Sequence, residues 1–413
     1  MVKRVLMIAF HYPPIHGSSG VQRTLAFSRY LPQFDWQPII LTAHPRAYQA
    51  VNDGQLRDIP ESVVIKRAFA LDATRHLAFR GAYPGFLAVP DRWASWWLGA
   101  VPAGMALIRR YQPSVIWSTF PTASAHLIGL TLQRLSGLPW VADFRDSMID
   151  EGYPADPLRR RVFRWIERRT IVRCRHAVFT TPGAVRMYAE RYPEAPAARW
   201  VKIENGYDED NFRTLGRGLP AGPRTQDKIV LLHSGLLYTS ERDPRAFFAA
   251  LDGLRRAGEI SETGLRIVLR ASGNENNYRE LVRSHGLQDI VFLEPAIPYR
   301  EALREMMEAD GLLIFQAANC NHQIPAKAYE YMRARRPIFA LTDPAGDTAR
   351  LLMDAGIDTL SPLDSKDAIM QGLRDFLARL RHGRAPLAND AAIASYTRES
   401  RTQELARLLD PLA

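Results

Sequence analysis

Lys327 and Glu330 stand three residues apart in the stretch "IPAKAYEYMRARRPIFAL". If that stretch is helical, the spacing puts both side chains on one face. An ammonium there can touch phosphate oxygens, and a carboxylate one turn on can accept hydrogen bonds from two neighbouring hydroxyls such as a ribose diol. Pro325 suits the first turn of a helix, where no backbone donor is needed and the fixed φ is already helical. The amides from Ala326 onward are then expected to point out of the helix start, where a diphosphate would sit. The bland alternative is an exposed salt bridge worth roughly 0.2–0.5 kcal/mol.

Two segments nearer the start carry further candidates. In "HYPPIHGSSGVQRTLAF", Gly17 and Gly20 bracket two serines ahead of Val21, Leu25, Ala26 and Tyr30, which recur at helical spacing. Glycines at that turn let backbone amides approach an anion at a helix start. The third glycine of the dinucleotide fingerprint is missing, and a plain strand-to-helix turn would look the same. In "WVADFRDSM", Asp143, Arg145 and Asp146 close a strand, which places two carboxylates and a guanidinium at the carboxyl edge of a parallel sheet, where such folds bind ligands. An ion-paired loop is the alternative.

These residues need elements to hold them. A chain of 413 residues exceeds one ordinary core, so two domains of roughly 150–200 residues are expected. Its 46% hydrophobic and 24% charged residues place it among globular proteins. Apolar runs alternate with helix-period segments throughout, the mark of two parallel α/β sheets. In the first half strands are predicted near Val5 to Phe10, Gln37 to Thr42, Val115 to Ser118, Trp140 to Asp143 and Ala177 to Thr180. After "KIENGYDEDNF" comes "RTLGRGLPAGPRTQD", rich in Gly, Pro and Arg, which reads as an exposed linker. Strands then resume in "KIVLLHSG", "LRIVLRASG", "DIVFLEP", "GLLIFQ" and "RPIFALT". The domains are therefore set at 1–212 and 225–390, with 391–413 as a terminal helix returning to the first.

Cys174 and Cys320 alone make no disulfide framework or zinc knuckle, which fits a reducing cytoplasm. The opening "MVKRVLMIAFHYPP" has too short an apolar run for a signal peptide and reads as a buried strand. No stretch approaches the ~20 apolar residues of a membrane span. A net charge of +10 favours an anionic partner. Nucleic acid is set aside, because neither zinc-finger spacing nor the aromatic ribonucleoprotein motif is present.

Together, "IPAKAYEYM", "DFRD", the glycine-bearing first loop, the "ENGYD" hinge and the "HSG" strand end resemble family 4 retaining glycosyltransferases of the GT-B fold, in the bacterial branch that builds exopolysaccharide and lipid-linked oligosaccharide. The resemblance covers nearly the whole chain and implies two Rossmann-like doubly wound domains facing across a cleft, the first binding the acceptor and the second a nucleotide-diphosphate sugar. It implies no metal and no cofactor. Carried over by position, Glu330 is the ribose-binding glutamate. The residue eight before it, usually a glutamate that touches the donor sugar, is His322, with Asn319 and Asn321 beside it. Leu236 stands where the family's usual arginine follows the first strand of the second domain. Arg242 matches the second basic position and is assigned to the diphosphate with Lys327, while Gly235 lets the backbone approach the donor. In the base-binding region the matching segments are "RASGNE" and "LEPAIPY". Arg145 replaces a histidine found near the reacting sugar in many relatives, so Asp146 or Asp143 is left to orient or deprotonate the acceptor. The predicted donor set is thus Gly17, Gly20, Gly235, Arg242, His322, Pro325, Lys327 and Glu330, and the catalytic set Arg145, Asp146, Arg242 and Lys327.

Two segments could spend the positive charge on a membrane. "PLRRRVFRWIERRTIVRCRH" packs arginines around apolar residues, and Trp93, Trp96 and Trp97 cluster beside Arg80 and Arg92. A peripheral enzyme on the inner face of the cell membrane with a glycan or lipid-linked acceptor is the expectation; core tryptophans and a solvated arginine face are the alternative. A nucleotide-sugar epimerase of the same fold and a non-catalytic sugar-binding protein are the rival functions.

Overall fold

A computed structural model describes residues 2–16, 20–215 and 228–413. Gly17 and most of the predicted linker lie outside the described residues. The chain forms two compact units, Met1–Asn205 with Arg398–Ala413, and Gly206–Thr397.

The first unit is built on seven strands: β1 (Lys3–Ile8), β2 (Trp36–Ala43), β3 (Val64–Ala68), β4 (Val115–Thr119), β5 (Trp140–Asp143), β6 (His176–Phe179) and β7 (Trp200–Lys202). They pair in the order β3-β2-β1-β4-β5-β6-β7, and every pairing is parallel. Strands buried on both faces by crossover helices must be apolar along their whole length, which is why β4 and β5 are buried at every residue. The expected first strand ends two residues early, at Ile8, although Ala9 and Phe10 stay buried. Sequence reading passes over β3 and β7, which are edge strands with charged residues in "VIKRA" and "WVK".

The second unit holds β8 (Ile229–Ser234), β9 (Leu265–Arg270), β10 (Val291–Glu294), β11 (Gly311–Gln316), β12 (Ile338–Thr342) and β13 (Leu360–Ser361). Their order is β10-β9-β8-β11-β12-β13, again all parallel. In both sheets the first strand lies between strands reached in opposite directions, β1 between β2 and β4, and β8 between β9 and β11. Ligands of open α/β sheets bind beyond the carboxyl ends of the strands at such a reversal.

The boundaries differ from those set by sequence. Residues 206–212 belong with the second unit rather than the first. Tyr207 and Phe212 pack into its core, the Tyr207 amide donates to Tyr396 at 3.1 Å, and Arg333 grips Glu209 with two bonds of 2.6 Å. At the other end Asp390–Ser395 also stays with the second unit, and the helix Arg398–Leu409 enters the first core through Leu405 and Leu409. A polar, glycine-rich stretch marks where a chain is exposed, whereas a boundary is fixed by which core the flanking aromatics join. Among the described residues, no helix is long and apolar enough to cross a membrane.

Candidate active site

At the carboxyl end of β8 the chain runs His233, Ser234, Gly235. His233 is fully buried, and its Nδ1 stands 2.8 Å from the Leu313 carbonyl of β11. A carbonyl only accepts, so Nδ1 carries the proton and Nε2 is left as an acceptor. Lys327 Nζ lies 3.2 Å from that Nε2 and donates to it. Burial, then the nearby Lys327 charge, push His233 well below its ordinary range, so the ring is neutral.

Lys327 is the first residue of the short helix Lys327–Arg333. Some of its surface stays accessible, but protein atoms crowd the ammonium, and this desolvation, with Arg242 nearby, pushes it down to about 7 while Glu330 pulls the other way. Gly235 has φ 129°, and a Cβ there would stand 2.5 Å from Lys327 Nζ. The missing side chain is therefore the space the ammonium occupies. Gly235→Ala is expected to push Nζ out of this notch, weakening nucleotide binding about tenfold while its backbone strain costs about 1–2 kcal/mol of stability. Calorimetric titration with UDP and a melting curve check the two parts separately.

Arg242 reaches the same place from the loop after β8. Its guanidinium lies 5.4 Å from the Tyr238 ring centre, Nη1 bonds the Leu236 carbonyl at 3.4 Å, and Nε is buried without a hydrogen-bond partner. The Ala317 amide donates to the Glu241 carbonyl at 2.8 Å, which ties this loop to the segment after β11. Beside it, residues 236–240 and 272–274 line a cavity of about 330 Å³. Leu236 and Tyr238 are 46% and 45% exposed there, apolar surface beside charged groups. Glu330 is half-buried and accepts the Tyr299 hydroxyl at 2.7 Å.

The expected helix start is narrower than the sequence implies. Pro325 precedes the cap residue Ala326 instead of opening the helix, and the Ala328 and Tyr329 amides turn back to the carbonyls of Pro325 and Ala326 at 2.9 and 3.3 Å. Positive charge here comes chiefly from the side chains of Lys327 and Arg242. His322 is half-buried with Gln323 Nε2 3.4 Å from its ring. Asn319 and Asn321 hold loops: Asn319 Nδ2 bonds the Ser240 carbonyl at 2.8 Å, and Asn321 Nδ2 bonds Asp343 at 2.6 Å.

In the first unit, Asp143 is fully buried and taken up by Arg23, through bonds of 2.9 and 3.1 Å, and by Thr119 Oγ1 at 2.9 Å. Arg23 also donates to the carbonyls of Ile203 and Glu204 at 2.9 and 2.8 Å. A carboxylate so enclosed is a structural anchor, and it is not available to an acceptor hydroxyl. Arg145 sits at φ 42°, donates from Nη1 to the Gly20 carbonyl at 3.1 Å, and leaves Nε buried without a partner. Asp146 next to it is exposed. Arg145 and Gly20 are thereby brought together beyond the carboxyl ends of β5 and β1. His11, just past β1, was not anticipated; burial, then Arg145, push it down to about 3, so it is a neutral imidazole beside that guanidinium. A single histidine after an apolar strand carries no pattern that singles it out.

The tryptophans expected at a membrane are packing residues. Trp96 is fully buried, Trp93 Nε1 bonds the Ala47 carbonyl at 3.2 Å, and Trp97 Nε1 bonds Thr131 at 3.0 Å. The arginine-rich helix Pro157–Arg173 is different, because it buries Phe163, Ile166 and Ile171 and leaves Leu158, Trp165 and Val172 exposed at 51%, 46% and 52%.

Residues 21–206 match the model of the glycosyl transferase 4-like domain. No curated protein sequence matches the chain. Among solved structures, a sucrose-phosphate synthase from Thermosynechococcus elongatus superposes with TM-score 0.69 at 14% identity, covering 99% of each chain. HepE of Anabaena, in complex with UDP and glucose, gives TM-score 0.68 at 12% identity over 100% of each chain. An α,α-trehalose-phosphate synthase (UDP-forming) from Burkholderia xenovorans, in complex with glucose-6-phosphate, gives TM-score 0.66 at 11% identity over 98% of this chain and 100% of that one. At such identities the likeness speaks for the fold, two Rossmann-like parallel-sheet units of the GT-B type. The chain accordingly has the GT-B fold, and its residues 21–206 are similar to the glycosyl transferase 4-like domain.

Proposed function

We propose that the protein is a retaining glycosyltransferase that moves a hexosyl group from a nucleotide-diphosphate sugar to a hydroxyl of a glycan or lipid-linked acceptor in cell-surface polysaccharide synthesis. The observation that carries this reading is the Lys327 ammonium, set in the Gly235 notch with Arg242 nearby at the carboxyl end of β8, the strand at which the order of the second sheet reverses. A desolvated cation there gains much from a diphosphate and more from the charge that grows on it as the sugar leaves. Arg242 can hold two phosphate oxygens with its fork. Glu330, braced by Tyr299, is suited to accept from a ribose diol. HepE is in complex with UDP and the similar trehalose-phosphate synthase is UDP-forming, which supports a nucleotide donor.

Retention follows if the leaving phosphate itself assists the incoming hydroxyl on one face, which needs no protein nucleophile. In this reading Asp146, an exposed carboxylate with Arg145 beside it, orients that hydroxyl. In this reading Gly17 and Gly20 are donor-binding residues, and Gly20 opens the helix Gly20–Tyr30. The reaction needs no metal or cofactor in this reading.

The enzyme works at the cytoplasmic face of the membrane. Leu158, Trp165 and Val172 recur every seven residues on the exposed side of Pro157–Arg173, among Arg161, Arg164, Arg168 and Arg169, a face matched to anionic lipid. Vesicles containing phosphatidylglycerol are expected to sediment with the protein, and Trp165→Ser with Arg164→Gln to weaken this about tenfold, since each basic residue contributes about 1 kcal/mol near such a surface. Equal recovery with neutral phosphatidylcholine vesicles would remove the membrane from the account.

Incubation with UDP-, GDP- and dTDP-sugars, with and without lipid-linked oligosaccharide, tests the function. Nucleoside diphosphate release that requires the acceptor, with a product of unchanged anomeric configuration by NMR, is expected. Release or isomerisation with the sugar nucleotide alone would favour an epimerase, and binding with no turnover a sugar-binding protein.

A further inference from the structure

Nothing in the resemblance gives His233 a part. It lies inside β8, fully buried, with Phe315 edge-on at 5.0 Å. A polar ring at such a place costs free energy unless both nitrogens are satisfied. One is bonded to the Leu313 carbonyl, and this fixes the tautomer whose other nitrogen can only accept. Lys327, from a different element 94 residues away along the chain, is the side-chain donor within reach of it, and the Gly235 backbone also contacts the ring.

We infer that His233 is a positioning residue: its Nε2 holds the Lys327 ammonium in the Gly235 notch and keeps it charged, and so sets the pH range over which the second unit holds an anion. The identity of that anion as a nucleoside diphosphate rests on the functional reading above. Geometry makes the case. With Leu313 fixing the ring, one acceptor lone pair points at the place where Gly235 has no Cβ, and the ammonium sits between them. The charged groups facing Lys327 are Arg242 from the loop after β8 and Glu330 from its own helix; those facing His233 are Lys327 and Arg242. Burial and Arg242 disfavour the ammonium and Glu330 favours it; the His233 lone pair, 3.2 Å from Nζ, is the neutral acceptor beside it. Tyr331 is otherwise engaged, its hydroxyl accepting from the Ser234 amide at 2.9 Å.

Two substitutions in the full chain separate this role from mere packing. His233→Asn keeps an N–H near the Nδ1 position, and with it the bond to Leu313, but has no atom at Nε2. His233→Gln returns an acceptor near Nε2. The rate of Lys327 acetylation by acetic anhydride, followed by peptide mass spectrometry against pH with no nucleotide present, reports the titration of the amine itself. His233→Asn is expected to move that titration about one pH unit lower, the size of one hydrogen bond to a charged group, and His233→Gln to bring it back within about 0.3 unit. UDP affinity measured from pH 6 to 9 is expected to follow: near the parent value at pH 6 in His233→Asn, and about tenfold weaker at pH 8. An unmoved acetylation profile overturns the proposal, as does a loss of UDP affinity equal at every pH. A moved profile in a chain that binds none of UDP, GDP or dTDP overturns the nucleotide reading alone and leaves the pairing of His233 with Lys327 standing.

Discussion

Lys327→Met is expected to lower kcat/KM for the proposed sugar transfer by about three orders of magnitude, the scale of losing a preorganised group that faces developing charge. The same substitution is expected to raise the melting temperature at pH 6. The two results have one cause. In the free protein the ammonium is pushed from its ordinary 10.5 to about 7. A lysine whose folded value is depressed penalises the folded state below that value, where the buried group must be charged, and the penalty fades as pH rises from about 7 towards 10.5. Methionine fills much the same volume without the charge. A bound diphosphate reverses the balance by supplying the missing counter-charge, so binding above pH 7 takes up a proton. Nucleotide affinity should therefore fall about tenfold per pH unit above 7 in the parent protein and stay flat in Lys327→Met. Titration calorimetry in buffers of different ionisation enthalpy counts the proton directly.

Arg23→Met destabilises the protein by about 3–5 kcal/mol, because it strands Asp143 as an uncompensated buried carboxylate. The pair is 3% and 0% exposed, so water cannot replace the lost partner. The same arginine also caps the carbonyls of Ile203 and Glu204, which end the first unit. Asp143→Asn alone keeps the shape and costs less, and Arg23→Met combined with Asp143→Leu should recover part of the loss, since an apolar pair can stand in for a buried ionic one. Urea melts of the parent, Arg23→Met, Asp143→Leu and the double variant close the cycle and give the coupling energy. A double variant no better than Arg23→Met alone would show that the arginine acts through the two carbonyls and not through Asp143.

How much of this was legible in the sequence depends on the range of the forces involved. Parallel strands such as β5 and β11 were visible because each is apolar at almost every position, a local consequence of burial on both faces. Lys327, Glu330 and Gly235 stood out because their types and spacing imply a chemistry on their own. Arg23 did not: in "GVQRTLAF" it looks like any helix arginine, and its partner lies 120 residues away. In sequence His233 reads as one residue of a strand end, and its role depends on Leu313 and Lys327 reaching it from other elements. A strand-end carboxylate such as Asp143 reads as a possible base, and only the fold reveals that it is bonded within the protein by Arg23 and Thr119. The tryptophans show the same limit, since "DRWASWW" beside arginines reads as well for a membrane as for a core.

The central claim is that Lys327 and Arg242 hold a nucleoside diphosphate at the end of β8. Thermal unfolding with UDP, GDP and dTDP, for the parent protein, Lys327→Met and Arg242→Met, tests it most directly. The account predicts that one nucleotide at about a hundred times its dissociation constant stabilises the parent by about 2.7 kcal/mol, and that either substitution removes most of this shift. A parent protein stabilised by none of the three, or a shift that survives the loss of both cations, would contradict it.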